Sequence, residues 1–135
     1  KGGAFLYASN FSLGVNIFFE LNKKLAKLME NQNYQSKIHE IHHTQKLDKP
    51  SGTAISLRQQ IDEMKDKKTP ITSDRINNIA GTHKITYISK VDQIEIKHTA
   101  NNRDGFAMGA IIAAEWIIDK KGIYSIKDVL ENKIT

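Results

Sequence analysis

The sequence predicts an α+β domain: a mixed, largely antiparallel sheet with helices on one face. Three observations carry that expectation. Ile94, Ile96, His98 and Ala100 alternate with Glu95, Lys97 and Thr99, the two-residue period of a strand with one covered side. Residues 15–29 and 54–65 instead space their apolar side chains three and four apart, the period of a helix. The resulting order is helix, strand, helix, several strands, helix, which groups strands together instead of alternating them with helices.

Taken in order, residues 4–8 are apolar and read as the end of a strand. Residues 10–14 are turn-like, with Ser12 a candidate helix cap. In the helix at 15–29, Phe18, Leu21, Leu25 and Leu28 form the expected inward stripe, with Lys23, Lys24 and Lys27 on the wet side. Residues 31–35 break it. A strand at 37–43 would put Glu40 and His42 on one side and His39, Ile41 and His43 on the other. Ala54, Leu57, Ile61 and Met64 mark the buried face of the next helix. Residues 66–73 read as a polar loop broken by Pro70. Residues 76–80 and 83–89 read as strands parted at Gly81, and 90–93 as a turn before the strand at 94–100. Residues 106–118 are apolar almost all round (Ile111, Ile112, Ala113, Trp116, Ile117), so this helix should be deeply buried, in part by another subunit or domain. Gly122 should stop it. Ser125 and Asp128 form a capping box for a last helix at 126–131. The second sheet face must be polar or find a cover.

With 135 residues, 39% of them hydrophobic and 26% charged, the chain can build one core. It holds no cysteine, which removes disulfides, thiolate metal sites and cysteine nucleophiles and fits a cytoplasmic protein. No apolar run approaches a membrane span. The net charge is +5, but the lysines are scattered, without an arginine-rich run or aromatic-interleaved basic patch. A small acidic ligand, or solubility alone, fits this pattern better than nucleic acid.

Chemistry concentrates in residues 40–54, EIHHTQKLDKPSGTA. Imidazole moves protons near neutral pH, and either His42 or His43 could do so. Lys46 supplies a mobile cation. Pro50 fixes the backbone before Ser51, Gly52 and Thr53, and either Ser51 or Thr53 could cap the following helix. Gly52 would let a ligand approach the backbone. Free N–H groups at a helix start favour an anion, so the stretch reads as a carboxylate or phosphate cradle beside a cation and a proton-transfer group. A serine nucleophile is disfavoured, because no G-x-S-x-G elbow surrounds Ser51. No metal site is expected: a strand would split His39, His42 and His43 between faces, and no H-E-x-x-H spacing occurs.

The same stretch resembles the signature of the dihydrodipicolinate (4-hydroxy-tetrahydrodipicolinate) reductase family of bacterial lysine and diaminopimelate synthesis. Residues 9–16, SNFSLGVN, resemble the family's N-F-S-x-G-V-N segment. Asn102-Arg103 with residues 105–110, GFAMGA, resemble its late helix start, so nearly the whole chain is covered in the family's order. Lys49 stands where the family usually has alanine.

The resemblance implies an NADPH- or NADH-dependent oxidoreductase acting on a cyclic dicarboxylate. It implies that His42 is the proton donor/acceptor and Lys46 the proton-donating lysine. His43, Ser51, Gly52 and Thr53 would bind substrate, and Ala8, Ser9, Asn10 and Phe11 would meet the nicotinamide end of the cofactor. No G-x-G-x-x-G or G-x-x-G-x-x-G motif exists in the chain. The expected division is therefore residues 1–12 as the last part and hinge of a cofactor-binding domain, and 13–135 as a substrate-binding and oligomerisation domain. The family assembles tetramers through sheets of this domain. The alternative is a non-catalytic module of the same fold that only assembles subunits or binds a small anion.

Overall fold

The computed structural model describes residues 2–134, and the side chains of 2–131. The chain divides into two compact units, Phe19–Asn102 and Lys1–Phe18 with Arg103–Thr135.

The uninterrupted unit holds the sheet. Its strands are β2 (Gln35–His42), β3 (Ile71–Arg75), β4 (Gly81–Ile88) and β5 (Gln93–Ala100), in spatial order β3-β2-β4-β5. β2 and β3 run parallel, and the other two pairs are antiparallel, as the predicted mixed, largely antiparallel sheet requires. Register aligns Ile71, Ile38, Ile85 and Ile96 in one row across the sheet. On that face Ile38, Ile85 and Tyr87 are buried together with Ala54, Leu57 and Ile61 of α2 (Gly52–Asp62). Helix α1 (Leu13–Leu28) meets α2 through Asn22, whose amide donates to Leu57 O at 3.1 Å and Gln60 Oε1 at 2.8 Å. The opposite sheet face is polar, with His39 on Asp74 at 3.1 Å and Lys84 near Glu95 at 3.7 Å.

Three expectations fail here. Of the expected inward stripe of α1 Phe18 is buried, but the row then runs through Asn22 and Ala26 to Met29 just past the helix, whereas Leu21 is half exposed and Leu28 is 73% exposed. Asn22 claims the inward row because its amide has partners on α2, and this rotates the leucines outward. The third strand is Ile71–Arg75, not residues 76–80, which form a loop with Asn78 at φ 66°. Only Ile71 in that strand is apolar; its inward positions Ser73 and Arg75 are polar, so the strand gives little hydrophobic alternation. Gly81 opens β4 instead of parting two strands.

The other unit pairs β1 (Ala4–Tyr7) in parallel with β6 (Gly122–Ser125), a strand the hydrophobic pattern did not reveal. Ser12 caps α1 as expected, its Oγ accepting from Val15 N at 3.3 Å. Helix α3 (Asp104–Ile117) contributes Gly109 and Ala113 to the interior, but Phe106, Met108 and Ile111 stay exposed, so the expected deep burial is not met within this chain. Gly109 lies against the Phe11 carbonyl so closely that any Cβ would overlap it. Asp119, at φ 66°, takes the left-handed position just past α3 that Gly122 was expected to fill. The Asp128 carboxylate accepts from Ser125 N at 2.7 Å and opens α4 (Ile126–Ile134), which is half of the predicted capping box. Among the described residues no helix is long and apolar enough to cross a membrane.

Candidate functional site

Strand alternation puts Ile38, Glu40 and His42 on the buried side of β2. The Glu40 carboxylate is fully buried there, and four donors meet it. Arg75 of β3 forks onto both oxygens, Nη1 to Oε1 at 2.8 Å and Nη2 to Oε2 at 3.0 Å. Ser51 N donates to Oε2 at 3.1 Å, and His42 Nδ1 lies 2.7 Å from Oε1. Burial alone would raise the carboxyl pKa. The hydrogen bonds from Arg75, His42, Ser73 and Ser51 outweigh it and pull it down to about 2. An ionised Glu40 can only accept, so His42 donates from Nδ1 and leaves Nε2 to exchange a proton.

The ring has its place because position 81 is glycine. A Cβ there would lie 3.1 Å from His42 Nε2 and 3.2 Å from Cδ2, on a backbone at φ 154°. Burial lowers the His42 pKa; Glu40 opposes this, and the charges of Lys46 and Arg75 reinforce it. His83 of β4 stands edge-on to His42 at 4.9 Å between ring centroids. Its Nε2 is 3.1 Å from Ser51 Oγ. Burial, then the neighbouring His42, pushes His83 down to about 4, so it is neutral near pH 7.

Past β2 the chain turns through Lys46 N on His43 O at 3.2 Å. Arg75 reaches this loop as well, with Nε on Lys46 O at 3.3 Å and Nη2 on Asp48 O at 2.7 Å. Lys46 Nζ pairs with Asp48 Oδ1 at 3.1 Å. That bond chiefly, with a lesser one from the Gly52 N–H, holds the Asp48 carboxyl below its ordinary pKa. The Lys49–Pro50 peptide is cis. Ser51 then caps α2, its Oγ accepting from Ala54 N at 3.1 Å, which decides between Ser51 and Thr53. Gly52 is exposed with open space where a Cβ would stand, and Thr53 is half-buried.

His42, His43, Lys46, Ser51, Gly52 and Thr53 thus fall on one run from the end of β2 to the start of α2. Ala8, Ser9, Asn10 and Phe11 lie in the other unit, in the turn between β1 and α1. Reading by motif overlooked Arg75, gave Glu40 no role and read His83 only as part of a strand. A glutamate on the otherwise inward side of a strand is a signal for a buried partner. Arg75, 35 residues further on, leaves no local pattern. Among the described residues, no three His, Cys, Asp or Glu converge as metal ligands.

Fold and site together define an α+β domain in which an imidazole, a lysine and a capped helix start fall on one run of chain. The family profile described as "Dihydrodipicolinate reductase, C-terminus" matches residues 14–130, and the chain belongs to that family as its C-terminal domain. The 4-hydroxy-tetrahydrodipicolinate reductase of Christiangramia forsetii is 54% identical across 98% of this chain and 61% of its own length. That of Bdellovibrio bacteriovorus is 42% identical across 95% of this chain and 56% of its own. The chain therefore spans about three-fifths of these curated relatives. A solved dipicolinate-bound dihydrodipicolinate reductase from Paenisporosarcina sp. TG-14 shares the fold, with a TM-score of 0.70 at 24% identity, over 93% of this chain and 54% of that one.

Proposed function

We propose that this chain is the substrate-binding and oligomerisation part of a cytoplasmic 4-hydroxy-tetrahydrodipicolinate reductase. The enzyme would use NADH or NADPH to form tetrahydrodipicolinate in lysine and diaminopimelate synthesis. The observation that supports this best is the Glu40–His42 dyad beside Lys46 and the start of α2. A cyclic substrate with two carboxylates needs two anion-holding groups and a proton source. Lys46, His43 and the Ser51–Thr53 helix start hold the carboxylates. His42 Nε2, with Lys46, delivers the proton where negative charge develops on the ring. Glu40 accepts from Nδ1, which leaves Nε2 as the nitrogen that takes up a proton and, from the imidazolium, hands it on. The relative from Paenisporosarcina, which carries dipicolinate, agrees with a planar dicarboxylate as the ligand class.

Ala8, Ser9, Asn10 and Phe11 fit the nicotinamide end of a dinucleotide and no more. Asn10 stiffens the turn, its Oδ1 accepting from Ser12 N at 2.8 Å and its carbonyl from Asn16 Nδ2 at 2.7 Å, while Ser9 remains exposed. No glycine-rich phosphate loop lies within the 135 residues. The nucleotide, when bound, supplies the hydride. The assembly proposed is a homotetramer.

Calorimetry at low salt tests the site. The folded chain should bind pyridine-2,6-dicarboxylate weakly. A protein that circular dichroism shows folded, yet gives no heat with this ligand, would remove the dicarboxylate reading.

A further inference from the structure

We propose that Arg75 is the positioning residue of this site, one side chain that sets the spacing between His42, Lys46 and the start of α2. This rests on the function proposed above. Three observations carry it. Its guanidinium forks onto both Glu40 oxygens, and those same oxygens accept from His42 Nδ1 and from Ser51 N at the helix cap. Its Nε and Nη2 also donate to the carbonyls of Lys46 and Asp48, which fixes the loop that carries the lysine. Its side chain is mostly buried, so water competes little for these bonds. Lysine keeps the charge but has no rigid fork and cannot meet a carboxylate and two carbonyls in one plane. Arg75 bonds to neither the His42 ring nor the Lys46 ammonium; beyond the lowering of the His42 pKa by its charge, it acts through Glu40 and through the loop backbone.

The groups that face His42 are Glu40 on β2, Arg75 on β3, His83 on β4 and Lys46 on the loop. Removing the arginine charge leaves Glu40 to raise the His42 pKa unopposed by it. Arg75→Lys and Arg75→Gln therefore separate charge from geometry. Arg75→Gln alone strands a buried carboxylate and is expected to lose the fold. Arg75→Gln combined with Glu40→Gln removes that charge too.

The test uses nitrogen-15 NMR of the histidines, amide exchange and calorimetry with pyridine-2,6-dicarboxylate. In Arg75→Lys the His42 pKa should stay within about half a unit. The Lys46 amide, which donates to His43 O, should lose protection, and dicarboxylate affinity should fall about tenfold. The double variant should fold, show the same loss of loop protection and bind as poorly. A purely structural arginine would lower thermal stability while leaving loop protection and affinity unchanged once folded. That result in both variants overturns the proposal. The NMR arm needs no ligand. A wild-type chain that binds no dicarboxylate therefore counts against the proposed function alone, and loop protection and the His42 tautomer still decide the role of Arg75.

Discussion

At the scale of single residues, the proposed site assigns proton chemistry and support to different side chains. His42→Gln and Lys46→Ala, made in the intact reductase, should each lower turnover by about 10²–10⁴-fold, the usual share of a general acid. Melting temperature should change little, because Lys46 lies on a loop and glutamine can keep a hydrogen bond to Glu40. A large loss of stability with normal turnover in the folded fraction would return both residues to a structural role. His83 gives a different signature. Its folded pKa of about 4 lies below the ordinary 6.5, so the unfolded chain takes up the proton first as pH falls. Stability is therefore full above pH 6.5 and declines as pH drops through 6.5 toward 4, by about 3 kcal/mol in all. His42, shifted in the same direction, adds to the decline. Glu40 is depressed from 4.5 to about 2, so its share is lost only in the lower window from 4.5 to 2. Urea melts between pH 7.5 and 4 should show the first slope, and His83→Gln should flatten it. An equal slope in that variant would assign the acid sensitivity elsewhere.

At the scale of elements, helix–helix and helix–turn packing depend on small features. Gly109 of α3 faces the Phe11 carbonyl, a backbone atom that cannot swing aside. Gly109→Ala should destabilise the protein by about 1–3 kcal/mol even though alanine favours helices. A thermal melt unchanged or raised would show that the helix can shift freely. The elements also show what the residue pattern can reveal. α2 was legible at three of the four positions expected on its buried face: Ala54, Leu57 and Ile61 are buried, whereas Met64 lies past the helix end at Asp62 and is half-buried. β5 was legible because its alternation is clean. α1 was found but turned the wrong way, since a buried asparagine looks polar in sequence and becomes inward only through a partner on another helix. β3 was displaced because its inward residues serve Glu40 instead of a hydrophobic core. β6 was missed because four residues pair with a strand 118 positions away. The site followed the same rule. Residues 40–54 were visible as one contiguous motif, whereas Arg75 and His83 joined it only through the sheet register.

At the scale of the whole molecule, Phe106, Met108 and Ile111 leave an apolar surface on α3 and Leu28 another on α1. Contiguous apolar surface marks an interaction site more often than a wet one. Sedimentation of the chain should show a multimer that persists on dilution to micromolar concentration. A clean monomer would reject the proposed homotetramer.

The parallel pairing of β1 with β6 has a consequence for the order of events during synthesis. Phe19–Asn102 is one uninterrupted run, while the unit around β1 combines the first 18 residues with those from Arg103 onward. On a ribosome, the sheet and the histidine–glutamate–arginine cluster have all their residues before α3 is made. β1 gains its pairing with β6 only once that last strand has emerged. The histidine–glutamate–arginine cluster can therefore be assembled before the strand that closes the other unit has been translated.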